Sequence, residues 1–425
     1  MELKRYKLGD LVEVSRGTSL AGEFYATEGE LIRLTLGNFD YQRGGFKHNT
    51  SKDNIYFSGK VKDEYILNEG DIITPLTEQT AGLLGSTARI PESGKYIQSQ
   101  DVALIRCKED LLDPTFCYYL LPSASVKKQL GAAAQQTKIR HTTPDRIKEV
   151  IVDIPPLAEQ KVIGKILDSI TAKIDLNYSL NHYLEAMAKQ VYDYGFVQFD
   201  FPDENGKPYK SSGGKMVWND KLKREIPEGW NDSLLSEYLC IYSEKISTKD
   251  VSKDDNYAPI EVLPRRKMSF NECAPIENAL SGLCRFKHKH ILLSNRRVYF
   301  HKVCIAPFDG LTRDTVIILY PTKTNLLGYS YQLVNDDVFI EYATKHSYGS
   351  EQPVLSWEEA KQYKVVKPPQ LLECAYSRLI EPIIDQVIRI ELEISAMVKH
   401  RDELLPLLMN GQVSVTQLNN DLSQS

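Results

Sequence analysis

Asn295, Arg296, Arg297, Tyr299 and Lys302 fall within eight residues, directly after the apolar run 290–294. These residue types suit nucleic-acid reading. Asn pairs with adenine and Arg with guanine through two hydrogen bonds in the major groove, whereas Lys and Arg on phosphates fix position without carrying sequence. Between Asn256 and Lys302 nine basic residues, among them Arg265, Arg266 and Lys267, outnumber three acidic ones. A solvated charged face has the same composition, so the run alone leaves both readings open. The first half offers a comparable set. Gln79 and Thr80 lie in a polar loop that leads to Arg89; Gln98 and Gln100 follow, and Gln136, Lys138 and Arg140 fall in the polar run 135–141.

Other chemistries lack their residues. The double prolines stand in Ile-Pro-Pro-Leu and Lys-Pro-Pro-Gln, without the preceding Asn or Asp and following Tyr of an adenine-methylation pocket. There is no Phe-x-Gly-x-Gly for a methyl donor and no Gly-x4-Gly-Lys-Ser/Thr loop for ATP. Pro144, Asp145 and Lys148 share a fragment of a nuclease motif, but read more simply as a turn entering a short strand. The seven cysteines form no Cys-x2-Cys pair, and Lys287-His288-Lys289-His290 has no metal-helix spacing, so no metal is expected. No run approaches the length of a membrane span, and the first residues lack the apolar stretch of a secretory signal, so a cytoplasmic location is expected.

The elements that position these residues are duplicated. Pro155-Pro156 and Pro368-Pro369 each follow a mixed α/β stretch and introduce a long helical pattern, half a chain length apart. The first apolar stripe runs through Ile163, Leu167, Ile170, Ile174, Leu184, Ala188 and Val191, with Asn177 and Asn181 on the same face. The second runs through Ile380, Ile383, Val387, Ile390, Ile394, Met397, Arg401, Leu404 and Leu408. Alternating steps of three and four define a helical seam. Gly195 and Gly411 suit the stops, and Pro406 is placed to bend the last turns. Each helix spans roughly 38–40 residues, about 60 Å. A seam of that length calls for a partner, and the two helices suit each other as an antiparallel pair. A helix packed on its own domain is the alternative. Residues 200–215 form a polar connector rich in Gly, Pro and Ser. Strand-like runs recur at comparable places, 70–74 and 101–105 in the first half and 290–294 and 314–319 in the second.

Several segments in order resemble the central conserved region of Type I restriction-modification specificity subunits: Ile154-Pro-Pro-Leu-Ala-Glu-Gln, then residues 191–202, then Gly206-Lys-Pro-Tyr, Gly213-Gly-Lys-Met and Arg224-Glu-Ile-Pro-Glu-Gly-Trp. Residues 293–302 and 306–310 resemble one class of target-recognition domain, while Pro369-Gln-Leu-Leu-Glu-Cys departs from the usual Pro-Leu-x-Glu-Gln. The resemblance implies a mixed α/β (α+β) fold with two pseudo-repeated recognition domains, 1–155 and 230–367, separated by two long antiparallel coiled-coil helices, 156–197 and 368–412. A connector at 198–229 and a polar tail at 413–425 complete it. It further implies a non-catalytic subunit that reads a bipartite site in double-stranded DNA. The partners would be two modification subunits and, where present, restriction/translocase subunits. S-adenosylmethionine, ATP and Mg2+ would be bound by those partners and none by this chain. A self-contained methyltransferase or nuclease, and a coiled-coil scaffold without DNA binding, are the alternatives. The charge balance sets a condition: the chain carries a net −5, and through Pro155 it has 20 basic and 21 acidic residues. A half this balanced neutralises few phosphates by itself, so the modification subunits are expected to supply much of the non-specific attraction.

Overall fold

A computed structural model describes residues 3–41, 43–50, 53–78, 82–133, 140–409 and 412. The chain forms two compact units. One comprises residues 1–172 with 399–425, the other residues 173–398.

In the first unit, strand Lys4–Lys7 pairs antiparallel with Ile151–Ile154, the last strand before the double proline. Between them lies a sheet in the order Val12–Arg16, Val102–Cys107, Ile72–Pro75, Ala88–Arg89. Its central strands are apolar on both faces, since Ile72, Ile73, Val102, Ala103, Leu104 and Ile105 are all buried. One face meets Phe116, Leu120, Val126 and Leu130, with Ile163, Leu167, Leu404 and Leu408 from the long helices in the same core. The other meets Ile32, Leu34, Phe39, Leu67 and Tyr96.

The second unit repeats this plan. Strand Asn231–Leu234 pairs with Lys364–Lys367, again just before a double proline. The central sheet runs Leu239–Tyr242, Val316–Pro321, Ile291–Ser294, Val303–Ile305. Ile72 faces Ile105 in one half as Ile291 faces Leu319 in the other, so the matched strands keep their register. The strand-like runs at 70–74, 101–105, 290–294 and 314–319 thus become the two inner strands of each sheet.

Both double prolines lead into long helices, Leu157–Tyr192 and Gln370–Met409. Within the second unit these run antiparallel. Lys173 pairs with Glu393 at 2.9 Å, Asn181 donates to Glu391 Oε1 at 2.9 Å, and the Tyr376 hydroxyl donates to the Ala188 carbonyl at 2.9 Å. Ile174, Ala188, Ile380, Val387, Ile390 and Ile394 are buried along the seam, as their spacing predicts. Asn181 is 1% exposed. A buried amide that finds its partner in one register only opposes slippage of the pair.

Three local expectations are corrected. Gly195 does not stop the first helix, because the chain passes into a π-helical turn over Asp193–Val197. Residues 144–148 form a one-turn helix, Pro144–Lys148, rather than a turn alone. Thr143 caps it by accepting from the Arg146 amide at 3.3 Å, and Pro144 suits a first helical position. The connector is followed by a hairpin, Met216–Asn219 with Arg224–Pro227. It is held by Trp230, whose ring stacks on Phe201 at 4.9 Å and meets Phe199 edge-on at 5.5 Å. Gly411 and the tail 413–425 lie outside the described residues. Among the described residues no helix is long and apolar enough to cross a membrane.

Candidate nucleic-acid interface

In each half one inner strand runs on past its sheet into an irregular segment. Strand Ile72–Pro75 continues into Leu76, Thr77 and Glu78; strand Ile291–Ser294 continues into Asn295, Arg296 and Arg297. The same backbone bonds pin both. The Leu76 amide donates to Asp101 O at 2.8 Å, and the Asn295 amide to Thr315 O at 3.0 Å. Leu76 O accepts from Thr142 N, and Asn295 O from Leu355 N, each at 2.8 Å. A later run of each half is thereby drawn alongside. Arg140 pairs with Glu78, and Arg296 bridges to Val354. In the first half this brings Arg140 and His141 beside Thr77 and Glu78.

The segment of the second half is held in a costly conformation. Arg297 (φ 48) and His301 (φ 52) flank the 3-10 turn Val298–Phe300, and Arg266 has φ 54. Left-handed backbone is rare for such side chains and persists only where the surroundings impose it. Here Arg297 N donates to Pro353 O at 2.9 Å, and Arg266 N to His301 O at 2.9 Å. His301 is buried, with its Nε2 at 3.0 Å from Asn335 Oδ1. Burial lowers its pKa, and the nearby Arg266 acts in the same direction. The result is a rigid exposed cluster. The Arg265 guanidinium lies 3.9 Å over the Phe300 ring, Tyr299 is 48% exposed beside Phe300, and Arg266 is tied to Asp337 at 2.8 Å. Among the described residues Arg297 has no ion pair, and Arg296 reaches only Gln352, at 3.5 Å.

Other residues of the predicted set have internal tasks. Asn295 is locked by its Nδ2 to Asp314 O at 2.8 Å. The Lys302 ammonium donates to Ile260 O at 2.6 Å and to Glu261 O at 3.4 Å, and burial lowers its pKa. Lys267 pairs with Glu185 at 3.3 Å, while the adjoining Met268 amide donates to the same carboxylate at 2.9 Å. Gln98 is 1% exposed and donates to Ser15 O and Val102 O, inside the sheet. Arg89 grips Asp168 through two bonds of 2.9 and 3.0 Å and lies 4.2 Å over Tyr118. Each of these five was expected at DNA, and each is corrected to a structural role because its side chain is held by partners within the chain, although Asn295 Oδ1 and Arg89 Nη2 are buried without one. Gln100 is exposed, and its carbonyl accepts from Arg16 Nε at 2.7 Å. Arg140 is half-buried, 3.6 Å from Glu78. Gln79, Thr80, Gln136 and Lys138 lie outside the described residues.

No group of three or more His, Cys, Asp or Glu able to hold a metal occurs among the described residues. His290 Nδ1 instead accepts from the Lys287 amide at 3.1 Å. Sequence reasoning missed the segment 348–354 that flanks Arg296 and Arg297. The half-chain offset that maps it onto 135–141 was the available signal.

Residues 2–186 match the family model described as Type I restriction modification DNA specificity domain. The Type I restriction enzyme MjaIX specificity subunit of Methanocaldococcus jannaschii is 23% identical over 314 residues, 71% of this chain and 70% of that one. Over these stretches the chain is similar to Type I restriction-modification specificity subunits. A second relative, the Type I restriction enzyme EcoBI specificity subunit of Escherichia coli, is 26% identical over 198 residues, 46% of this chain and 39% of its own. The fold is shared with a solved structure: the Type I restriction-modification S subunit from M. genitalium aligns over 96% of both chains with a TM-score of 0.60 at 15% identity.

Proposed function

We propose that this chain is a Type I restriction-modification specificity subunit, a non-catalytic DNA reader, and that each half reads one part of a bipartite duplex site. The observation that carries this is the duplicated segment: one sheet, in one register, ends in both halves at a polar loop pinned by matching backbone bonds. Two copies of a reader suit a site of two short words. Arg265, Arg296, Arg297 and Tyr299 are the reading and phosphate-contacting candidates of the second half. Arg140 and Gln100 are those of the first, together with Gln79, Thr80, Gln136 and Lys138 on sequence grounds.

Modification subunits carrying S-adenosylmethionine are the proposed partners, with restriction subunits supplying ATP- and Mg2+-dependent steps. A surface suited to a helical partner supports this. Leu176, Leu180, Tyr183 and Met187 recur at helical spacing on the first long helix and are 67, 40, 69 and 46% exposed. A contiguous apolar stripe left in water marks an interaction face. The near-neutral first half makes partners necessary for tight binding, because counterion release scales with the cations at phosphates.

The test is methylation of a random duplex pool by the subunit assembled with its modification partner, followed by sequencing of the modified molecules. A split motif with a fixed gap is expected, and removal of one turn from both long helices changes the gap without changing either word. Methylation without sequence preference contradicts the proposal. Salt titration of binding by the subunit alone and in complex tests the charge argument. Equal affinity and equal slope would refute it.

A further inference from the structure

We propose that the hairpin at 348–354 is a second base-reading element of the C-terminal half, with Gln352 as its discriminating side chain. The inference rests on that half being a DNA reader and adds a residue to its surface.

The hairpin is a built feature. Tyr348 and Val354 exchange both backbone bonds, at 2.9 and 2.8 Å, and close a five-residue loop. Gly349 takes φ 103, which a side chain would resist, so the turn depends on glycine there. The Tyr348 hydroxyl donates to Glu359 Oε1 at 2.8 Å, bracing the hairpin's base from outside.

Its tip stands beside the half-buried Arg296 and Arg297. Arg297 N donates to Pro353 O at 2.9 Å, Arg296 bridges to Val354, and Arg296 Nη1 donates to Gln352 Oε1 at 3.5 Å. The repeat gives an independent reason. Leu355 N donates to Asn295 O as Thr142 N donates to Leu76 O, and Val354 bridges Arg296 as His141 pairs with Thr77, so the chain entering Leu355 is set against the sheet's outgoing strand as the chain entering Thr142 is.

The composition of the tip decides what it contacts. Ser350, Glu351 and Gln352 stand there, with no Lys or Arg anywhere from 347 to 356. A carboxylate at the tip repels phosphate, and nothing in the loop neutralises one. Base edges are different: Gln pairs bidentately with adenine, and Glu accepts from the cytosine amine. The hairpin thus contributes sequence choice while releasing no counterions, whereas Arg265 and Arg297 can do both.

The experiment uses the full-length subunit with its modification partner and a duplex pool randomised over each half-site in turn. Q352A, E351A and R297A are compared with wild type, and binding is repeated over a series of salt concentrations. Thermal unfolding confirms that the substitutions leave the fold intact. In Q352A the preference at one base pair of a single half-site falls by roughly 5- to 150-fold, with the wild-type salt slope retained. An unchanged preference, or an equal loss across all sequences, overturns the proposal. If R297A alters the half-site and neither hairpin variant does, the hairpin is overturned and DNA reading by this half stands. If none of the three alters any preference, the reading of this half fails with it.

Discussion

Glu78 and Arg297 hold the same position in the two halves, each five residues past a matched strand pair, Ile73–Leu104 in one and Leu292–Ile318 in the other. Glu78 turns inward. It is 1% exposed, and its Oε2 accepts from the amides of Leu83 and Leu84 at 2.8 and 3.0 Å. Arg140 is drawn toward it at 3.6 Å, and Tyr41 nearby has its pKa pushed up to about 12, by burial first and by this carboxylate second. Arg297 instead has a backbone held left-handed by Pro353 and no ion pair among the described residues. The comparison teaches that the sheet fixes where each polar loop begins, while one side chain decides whether the loop is braced by a buried anion or carries a cation without an ion pair. On the proposed reading, the C-terminal half is expected to contribute most of the salt dependence.

The sharpest way to break this comparison is to remove the anion. Glu78→Ala orphans one buried and one half-buried amide and is expected to cost about 3 kcal/mol of stability, while Arg297→Ala at the matched position costs less than about 0.5 kcal/mol. Urea unfolding of both variants checks the contrast, and equal losses would end it. On DNA the order reverses. Arg297→Ala is expected to cost about 1–3 kcal/mol at one base pair, read from binding to single-position variants of the site, and a uniform loss over all sequences would assign it to phosphate.

A smaller effect sharpens the comparison elsewhere in the sheets. Arg89 faces Ile72 as Ile305 faces Ile291, so a charged residue in one half matches a core residue in the other. Arg89→Ala is expected to cost about 1 kcal/mol, because its pair with Asp168 is only partly shielded, and to leave both half-site preferences unchanged. Altered base preference in this variant would return Arg89 to the DNA surface.

The smallest effect is on pH. Burial lowers the His301 pKa from its ordinary 6.5, outweighing the hydrogen bond to Asn335, and Arg266 and Asp337 act on it in opposite directions. The folded loop therefore favours the neutral ring. Its contribution is complete above about pH 6.5 and is lost as the pH falls below that value, since protonation is easier in the unfolded chain. Discrimination of the C-terminal half-site is expected to weaken over that acidic range while the other half-site holds. Parallel binding series at several pH values measure it, and a parallel decline of both half-sites would locate the titrating group elsewhere.

The elements legible in the sequence are those whose signals are local. A double proline followed by steps of three and four marks both long helices, and short β-branched runs mark the inner strands. The helix end at Gly195 was misread because a π turn needs no distinctive residue, and Pro382 inside the second helix shows that tertiary packing tolerates what propensity forbids. At the site, polar type alone did not separate readers from braces. Arg89, Gln98, Lys267 and Lys302 find their partners 79, 83, 82 and 42 residues away, and nothing near them in sequence announces it. Arg265 and Tyr299, predicted from the sequence, remain exposed, while Arg296 and Arg297 are half-buried without an ion pair among the described residues.

The central claim is that the two halves read independently. Replacing residues 3–150 with the matching segment of a relative, and sequencing what the assembled complex methylates, tests it most directly. One word of the split site is expected to change, with the other word and the gap preserved. A change in both words, or in neither, would contradict the account.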